Sequence, residues 1–209
     1  MTAGKFITFE GGEGSGKSTQ ALRLADRLQS IGIEAIATRE PGGAPLAEKI
    51  RDLVLSERPH SAVTELLLFA AARAEHIALT IAPALKRGAW VVCDRYIDSS
   101  RVYQGDLGGV DPAFITAIER QTVAPYYPDL TLILDVGAET GMTRAHARGG
   151  LTRFDAAEVA QHEKVRQGFL ARAAAEPQRC LVIDGDQDQA DVTDAVWAAV
   201  SERLIATAR

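Results

Sequence analysis

Residues Gly11 to Ser18 read G-G-E-G-S-G-K-S, the G-x-x-x-x-G-K-[ST] spacing of a phosphate-binding loop, the Walker A pattern. A phosphate cradle needs backbone N–H groups converging on one point, which glycines permit, and a helix starting there adds the positive end of its dipole. Gly11, Gly12, Glu13, Gly14, Ser15, Gly16, Lys17, Ser18 and Thr19 are therefore expected to hold a nucleotide. Lys17 would reach the outer phosphates as a compact point charge, and the Ser18 hydroxyl would ligate the accompanying Mg2+. A second segment with chemical content is Trp90-Val-Val-Cys-Asp94-Arg95-Tyr96. A buried parallel strand reads as a continuous apolar run, and its carboxyl end is where α/β sheets place ligands. Asp94 is thus placed to hold Mg2+, directly or through water, and Arg95 offers a guanidinium fork to a phosphate. A salt bridge between the two neighbours is the plainer alternative. Asp135 also ends an apolar run and reads as a structural carboxylate.

Counting phosphate sites separates the classes that share such a loop. A switch of the GTPase type needs an N/T-K-x-D stretch to read guanine, and the chain has none. A kinase acting on a small acceptor needs a second anion site and a mobile basic lid, because the transferred group is clamped from both sides with water excluded. Arg39, Arg51, Arg73 and Arg95 fall on or near the segments after two predicted strands, while Arg144, Arg148 and Arg153 flank Gly149-Gly150. That grouping around two ends of one site favours the kinase.

The elements that must position these groups alternate along the chain. Apolar runs at Phe6–Phe9, Ala35–Thr38, Trp90–Cys93, Leu130–Leu134 and Cys180–Ile183 predict a parallel sheet of about five strands. Helices are predicted at Lys17–Ser30, with Leu22, Leu24 and Leu28 as the apolar stripe and Gly32 at C′, and at Pro45–Leu55. A long helix over Val63–Lys86 follows, in which Leu66, Leu67, Phe69, Ala70, Ile77 and Leu85 read mostly as core and Pro83 either kinks or splits the element. Ala113–Val123, Ala138–Ala147, Ala156–Ala175 and Asp191–Ala206 complete the set. The fold class is α/β, a three-layer P-loop NTPase arrangement in one domain over residues 1–209, with a short lid at about 144–155.

Bulk properties narrow the partners. A formal charge of −5 argues against nucleic acid, whose binding is driven by basic surfaces. No run of 18 apolar residues exists, and Met1–Lys5 leads straight into a strand, so the reading is cytoplasmic with no membrane partner. Cys93 and Cys180 each sit in an apolar run and read as buried thiols, and the four histidines show no metal-ligand spacing.

Glu10-Gly-Gly-Glu13, Thr38-Arg-Glu-Pro-Gly-Gly43, Leu68-Phe-Ala-Ala-Ala-Arg73, Asp94-Arg-Tyr96 with Ser99-Ser100, and Tyr103-Gln-Gly105 resemble the thymidylate kinases, in order and over nearly the whole chain. The resemblance implies transfer of the γ-phosphoryl group of ATP to dTMP with Mg2+, in dTTP biosynthesis, by a homodimer. By the same resemblance Phe69 stacks on thymine and Arg73, at i+4 on the same helix face, hydrogen-bonds a base carbonyl. Phe69 equally suits a core position. Ser100 and Gln104 fall at base-side positions of the motif, Ser99 beside them is a further substrate-binding candidate, and Tyr103 crowds the 2′ position of the sugar. Arg95, helped by Arg51, would hold the acceptor phosphate. Glu13 would lie near the acceptor sugar and the metal, and Glu40 would orient arginines or else simply cap the turn at Pro41-Gly42-Gly43. Some family members carry an arginine where this loop has Gly14, so the resemblance is to the subgroup whose lid supplies that charge. Lys17, Arg95, Glu13, Arg148 and Arg153 are the implied catalytic set. His146 departs from more arginine-rich lids. Asp184-Gly185-Asp186 would pack on adenine or form an ordinary surface turn. The rival readings are another nucleoside monophosphate kinase and a P-loop switch or regulatory ATPase.

Overall fold

Five short apolar runs lie side by side as parallel strands: β1 (Phe6–Glu10), β2 (Ala35–Arg39), β3 (Trp90–Asp94), β4 (Leu130–Asp135) and β5 (Cys180–Asp184), in the order β2-β3-β1-β4-β5. The structure, a computed structural model, describes residues 4–55, 60–147 and 159–206. Successive side chains of a strand point to opposite faces, and both faces here are covered, which is why β1 and β3 are apolar almost throughout. Ile7, Phe9, Val92, Leu132 and Leu134 pack under α1 (Lys17–Ser30) and α9 (Gln189–Val200). Phe6, Val91 and Cys93 face the opposite layer, where Ile77, Ile81, Ala82 and Ala84 meet them. Ile133 and Cys180 on that side receive Val165 and Phe169 of α8 (Val159–Ala175). Phe6, Ile7 and Phe9 are at most 1% exposed, and burying each such side chain contributes roughly 2 kcal/mol.

The remaining helices are α2 (Pro45–Val54), α3 (Ala62–His76), α4 (Ala82–Lys86), α5 (Ile97–Ser100), α6 (Pro112–Thr122) and α7 (Ala138–Ala147). The long predicted helix is realised as α3, a π-helical turn at Ile77–Ile81, and α4. Of the two outcomes open for Pro83, the element is split: Pro83 sits in the first turn of α4, where a missing N–H costs least, directly after the wider π-helical turn. The stripe on α1 is Ala21, Leu24, Ala25 and Leu28, whereas Leu22 is 58% exposed, because two residues' rotation carries it far from Leu24. Leu67 is likewise exposed at 46%, and Phe69 is half-buried. The span Ala62–Lys86 has the length and apolar composition of a membrane-crossing helix; in this fold α3 packs on α2 and α6, and α4 on β3. Gly32, with φ 83°, follows the α1 C-cap as expected. Cys93 and Cys180 are buried free thiols.

What this topology places together is one edge. Phe9 of β1 is in register with Asp94 of β3, and Arg39 of β2 with the same Asp94, so the carboxyl ends of three neighbouring strands open onto a common cleft.

Candidate functional site

The phosphate loop leaves β1 at Glu10 and feeds α1 at Lys17, the strand–loop–helix context the motif requires. Gly16, at φ 93°, is the α1 N-cap. Gly14, at φ 72°, lies against the backbone of Gly141 on α7, so closely that a Cβ there would overlap the Gly141 carbonyl. Lys17 Nζ donates to Gly11 O (3.0 Å), Gly12 O (2.6 Å) and Ser15 Oγ (3.2 Å), curled over the loop. Burial first, and then the Arg95 charge, lower its ammonium to about 8, so it remains mostly cationic at neutral pH. Thr19 is half-buried in the first turn of the helix.

Ser18 Oγ hydrogen-bonds Asp94 Oδ2, and Asp94 Oδ1 is buried with no hydrogen-bond partner. A hydroxyl and an unpartnered carboxylate oxygen at the mouth of a phosphate loop suit a hard, oxygen-seeking cation such as Mg2+. Among the described residues no cluster of three or more His, Cys, Asp or Glu could hold a metal, in keeping with an ion that takes few protein ligands and is completed by phosphates and water.

Arg95 joins this loop to a second pocket. It is the only non-glycine residue with positive φ among the described residues, at 69°, and its amide donates to Phe9 O at 2.9 Å. Its guanidinium pairs closely with Glu13, donates to Ser99 Oγ (3.2 Å), and lies 5.3 Å over the Tyr103 ring. Burial works against that charge, but Glu13, Tyr103, Asp94 and Glu10 together outweigh it and hold the group more firmly protonated than usual. The pocket has a volume of about 120 Å³ and is lined by Glu13, Glu40, Pro41, Arg51, Leu55, Phe69, Arg73, Arg95, Tyr96, Ser99, Ser100, Tyr103 and Gln104. Every predicted acceptor-side residue is thus on one wall or another of it, and Pro41, Leu55 and Tyr96 were not foreseen.

The pocket divides by chemistry. At one end Phe69 stands one turn of α3 before the buried Arg73, whose Nε meets Glu40 Oε2 at 2.6 Å and whose Nη2 donates to Tyr96 O (3.0 Å) and Ser100 Oγ (3.1 Å). Burial opposes the Arg73 charge and Glu40 restores it, with a net upward shift. Gln104 Nε2 is fixed by Glu65 Oε2 at 3.2 Å. At the other end Arg51 donates to Pro41 O (2.9 Å), and burial together with the Arg39 charge depresses its guanidinium. Arg95 adds to that repulsion, so an anion between Arg51 and Arg95 would relieve it. The Tyr103 hydroxyl, pushed up to about 12 chiefly by burial, stays protonated.

Other predicted groups are placed elsewhere. Arg39 pairs with Glu48 at 3.0 Å, in a separate cleft with Ser18 and Asp94. Arg144 donates to Gly185 O (2.8 Å), tying α7 to the loop after β5, and Asp186 Oδ2 accepts from Gly137 N (3.0 Å). Asp135 takes a two-point contact from Arg166 at 2.6 and 2.9 Å, the structural role expected of it. Arg148, Arg153 and most of the predicted lid lie outside the described residues. Three buried groups were missed: Glu10, which accepts from Tyr96 N (2.8 Å) and Ser99 Oγ (2.6 Å); Glu65; and His76. Glu10 stands beside the motif and an acidic residue inside an apolar strand was the available signal; Glu65 and His76 gave none beyond lying on the helix that carries Phe69 and Arg73.

A phosphate loop and a second pocket lined by three arginines, one of which bridges to the loop, define a P-loop phosphoryl transferase acting on a small acceptor. The family model described as Thymidylate kinase matches residues 9–196, and the chain belongs to that family. It is 55% identical over 207 residues to a protein named Thymidylate kinase from Nitrobacter winogradskyi, covering 97% of this chain and 90% of that one. A protein of the same name from Caulobacter vibrioides is 52% identical over 206 residues, covering 98% and 99%. The crystal structure of thymidylate kinase from Ehrlichia chaffeensis superposes with a TM-score of 0.78 at 34% identity, over 95% of this chain and 99% of that one.

Proposed function

We propose that this chain transfers the γ-phosphoryl group of ATP to the 5′-phosphate of dTMP, giving dTDP and ADP. The observation that carries the reading is Arg95, which bridges Glu13 of the phosphate loop to a pocket with an aromatic, hydrogen-bonding end and a cationic end. Thymine stacks on Phe69 at the first end. Among the described residues Arg73 Nη1 makes no hydrogen bond, and it is the donor assigned to a base carbonyl. Ser100 and Gln104 complete the base-side contacts, Ser99 lines the same pocket and binds Arg95, and the Tyr103 ring fills the space a 2′-hydroxyl would need. Arg51 and Arg95 clamp the acceptor phosphate, and Glu13 would lie near the acceptor sugar and the metal. Glu40 holds Arg73.

On the donor side, Gly11 to Thr19 cradle ATP, with Lys17 on its outer phosphates. Ser18 and Asp94 would hold Mg2+, which would supply charge neutralisation to the nucleotide's phosphates. The acceptor phosphate is already a competent nucleophile, so no general base is required; alignment and charge neutralisation are the protein's contribution. Arg148 and Arg153, outside the described residues, are proposed as the lid charges that compensate for Gly14. The enzyme is further proposed to be a cytoplasmic homodimer without a nucleic-acid or membrane partner; exposed Val63 and Leu67 on α3, with Phe114 on α6, support a self-association face. Chromatography of a reaction containing ATP, Mg2+ and dTMP tests the chemistry. Equal amounts of dTDP and ADP are expected, and ADP without dTDP would contradict it.

A further inference from the structure

We infer that His76 is a positioning residue of the acceptor pocket, acting on Arg73 through Glu40. His76 ends α3 and is completely buried. Its Nδ1 lies 3.1 Å from Glu40 Oε1 and its Nε2 2.7 Å from Thr38 Oγ1. The other Glu40 oxygen, Oε2, receives Arg73 Nε at 2.6 Å, and Arg73 reaches on to Ser100. A chain of contacts therefore runs from the end of β2, through the imidazole and one carboxylate, to the guanidinium that faces the pocket.

Hydrogen-bond complementarity fixes the roles. A carboxylate only accepts, so Nδ1 donates to Glu40, and the Thr38 hydroxyl then donates to Nε2. Glu40 stands at the head of Pro41-Gly42-Gly43, and a carboxylate held at one oxygen alone is free to turn about its own axis. With Oε1 pinned by the ring, Oε2 is aimed at Nε, and Arg73 presents a fixed edge to the ligand. Space for the ring is itself built in: a Cβ on Gly43 would overlap the His76 imidazole and lie 2.5 Å from Thr38 Oγ1, and Gly43 has φ 77°, where side chains are rare. Gly43 thus serves the histidine as much as the turn.

The inference rests on the dTMP reading of the pocket, and two variants with opposite halves of the imidazole separate the two. In His76→Asn the amide nitrogen takes the place of Nδ1 and keeps its donation to Glu40; in His76→Gln the amide reaches the Nε2 position, where it still bonds the Thr38 hydroxyl but leaves Glu40 Oε1 without its donor. His76→Gln is expected to raise KM for dTMP about tenfold, the scale of a lost hydrogen bond to a charged group, with kcat and KM for ATP near the parent values. His76→Asn is expected to stay near the parent in all three. Thermal melting of both reports stability separately. Parent-like KM for dTMP in His76→Gln, or equal rises in both variants, would overturn the positioning role. Nitrogen-15 NMR of the parent, with the ring assigned through bonds to the His76 backbone, needs no variant: Nδ1–H protonation is expected, and an Nε2–H tautomer would overturn the contact. Absence of dTMP-dependent turnover in the parent would instead contradict the functional reading, leaving the tautomer to decide the contact by itself.

Discussion

Arg95 occupies a left-handed conformation that costs a side-chain-bearing residue on the order of 1 kcal/mol, and it spends that strain reaching both the phosphate loop and the acceptor pocket. Beneath it Glu10 is fully buried, and burial first, then the Asp98 charge, push its carboxyl from 4.5 up to about 7. The folded protein therefore keeps a proton on Glu10 across the interval from 4.5 to about 7 in which the unfolded chain has released it. Its stabilising contribution is full below that interval and is lost as pH rises through it, by an amount of order 3 kcal/mol. Glu10→Gln removes the titration, so unfolding measured from pH 4 to 8 should show the parent losing stability relative to the variant as pH rises; parallel curves would contradict the assignment. Arg153 belongs to the same scale. Arg153→Ala is expected to lower kcat far more than it raises KM for dTMP, since a lid charge that neutralises the transition state contributes little to ground-state binding. Equal kinetics for variant and parent would remove Arg153 from the mechanism.

Among the elements, the phosphate loop is shaped as much by α7 as by β1 and α1. A Cβ on Gly141 would lie 2.6 Å from Glu13 O, just as one on Gly14 would overlap Gly141, so loop and helix approach backbone to backbone. Gly141→Ala should push the loop off its seat, lowering Tm by several degrees and raising KM for ATP more than for dTMP. A parent-like melt with unchanged ATP kinetics would show that α7 has room to move. Strand positions were legible from their apolar runs because a parallel sheet covered on both faces leaves little choice of residue. Helix faces were less so: counting leucines put Leu22 inside, while the rotation per residue puts Ala21 and Ala25 there. The π-helical turn before Pro83 was not legible either, since it depends on how α3 and α4 must both meet their neighbours.

For the molecule as a whole, the strand order brings the ends of β1, β2 and β3 to one cleft, and that order is what turns scattered motifs into a site. The predicted pocket residues from Glu40 to Gln104, Arg51 apart, were readable because each belongs to a short motif whose chemistry survives out of context. His76, Glu65 and Glu10 were not, because a buried polar residue acquires meaning only from partners 30 to 90 positions away, visible once the chain is folded. The central claim is that this pocket selects dTMP as the acceptor. Its most direct test is kcat/KM from ATP-dependent ADP release with dTMP, dUMP and dGMP in turn. Acceptor-dependent turnover is expected in which dTMP exceeds dGMP by about a hundredfold or more, as a pocket that hydrogen-bonds one base and excludes another should achieve. Comparable turnover with dGMP, or ADP release indifferent to any acceptor, would contradict it.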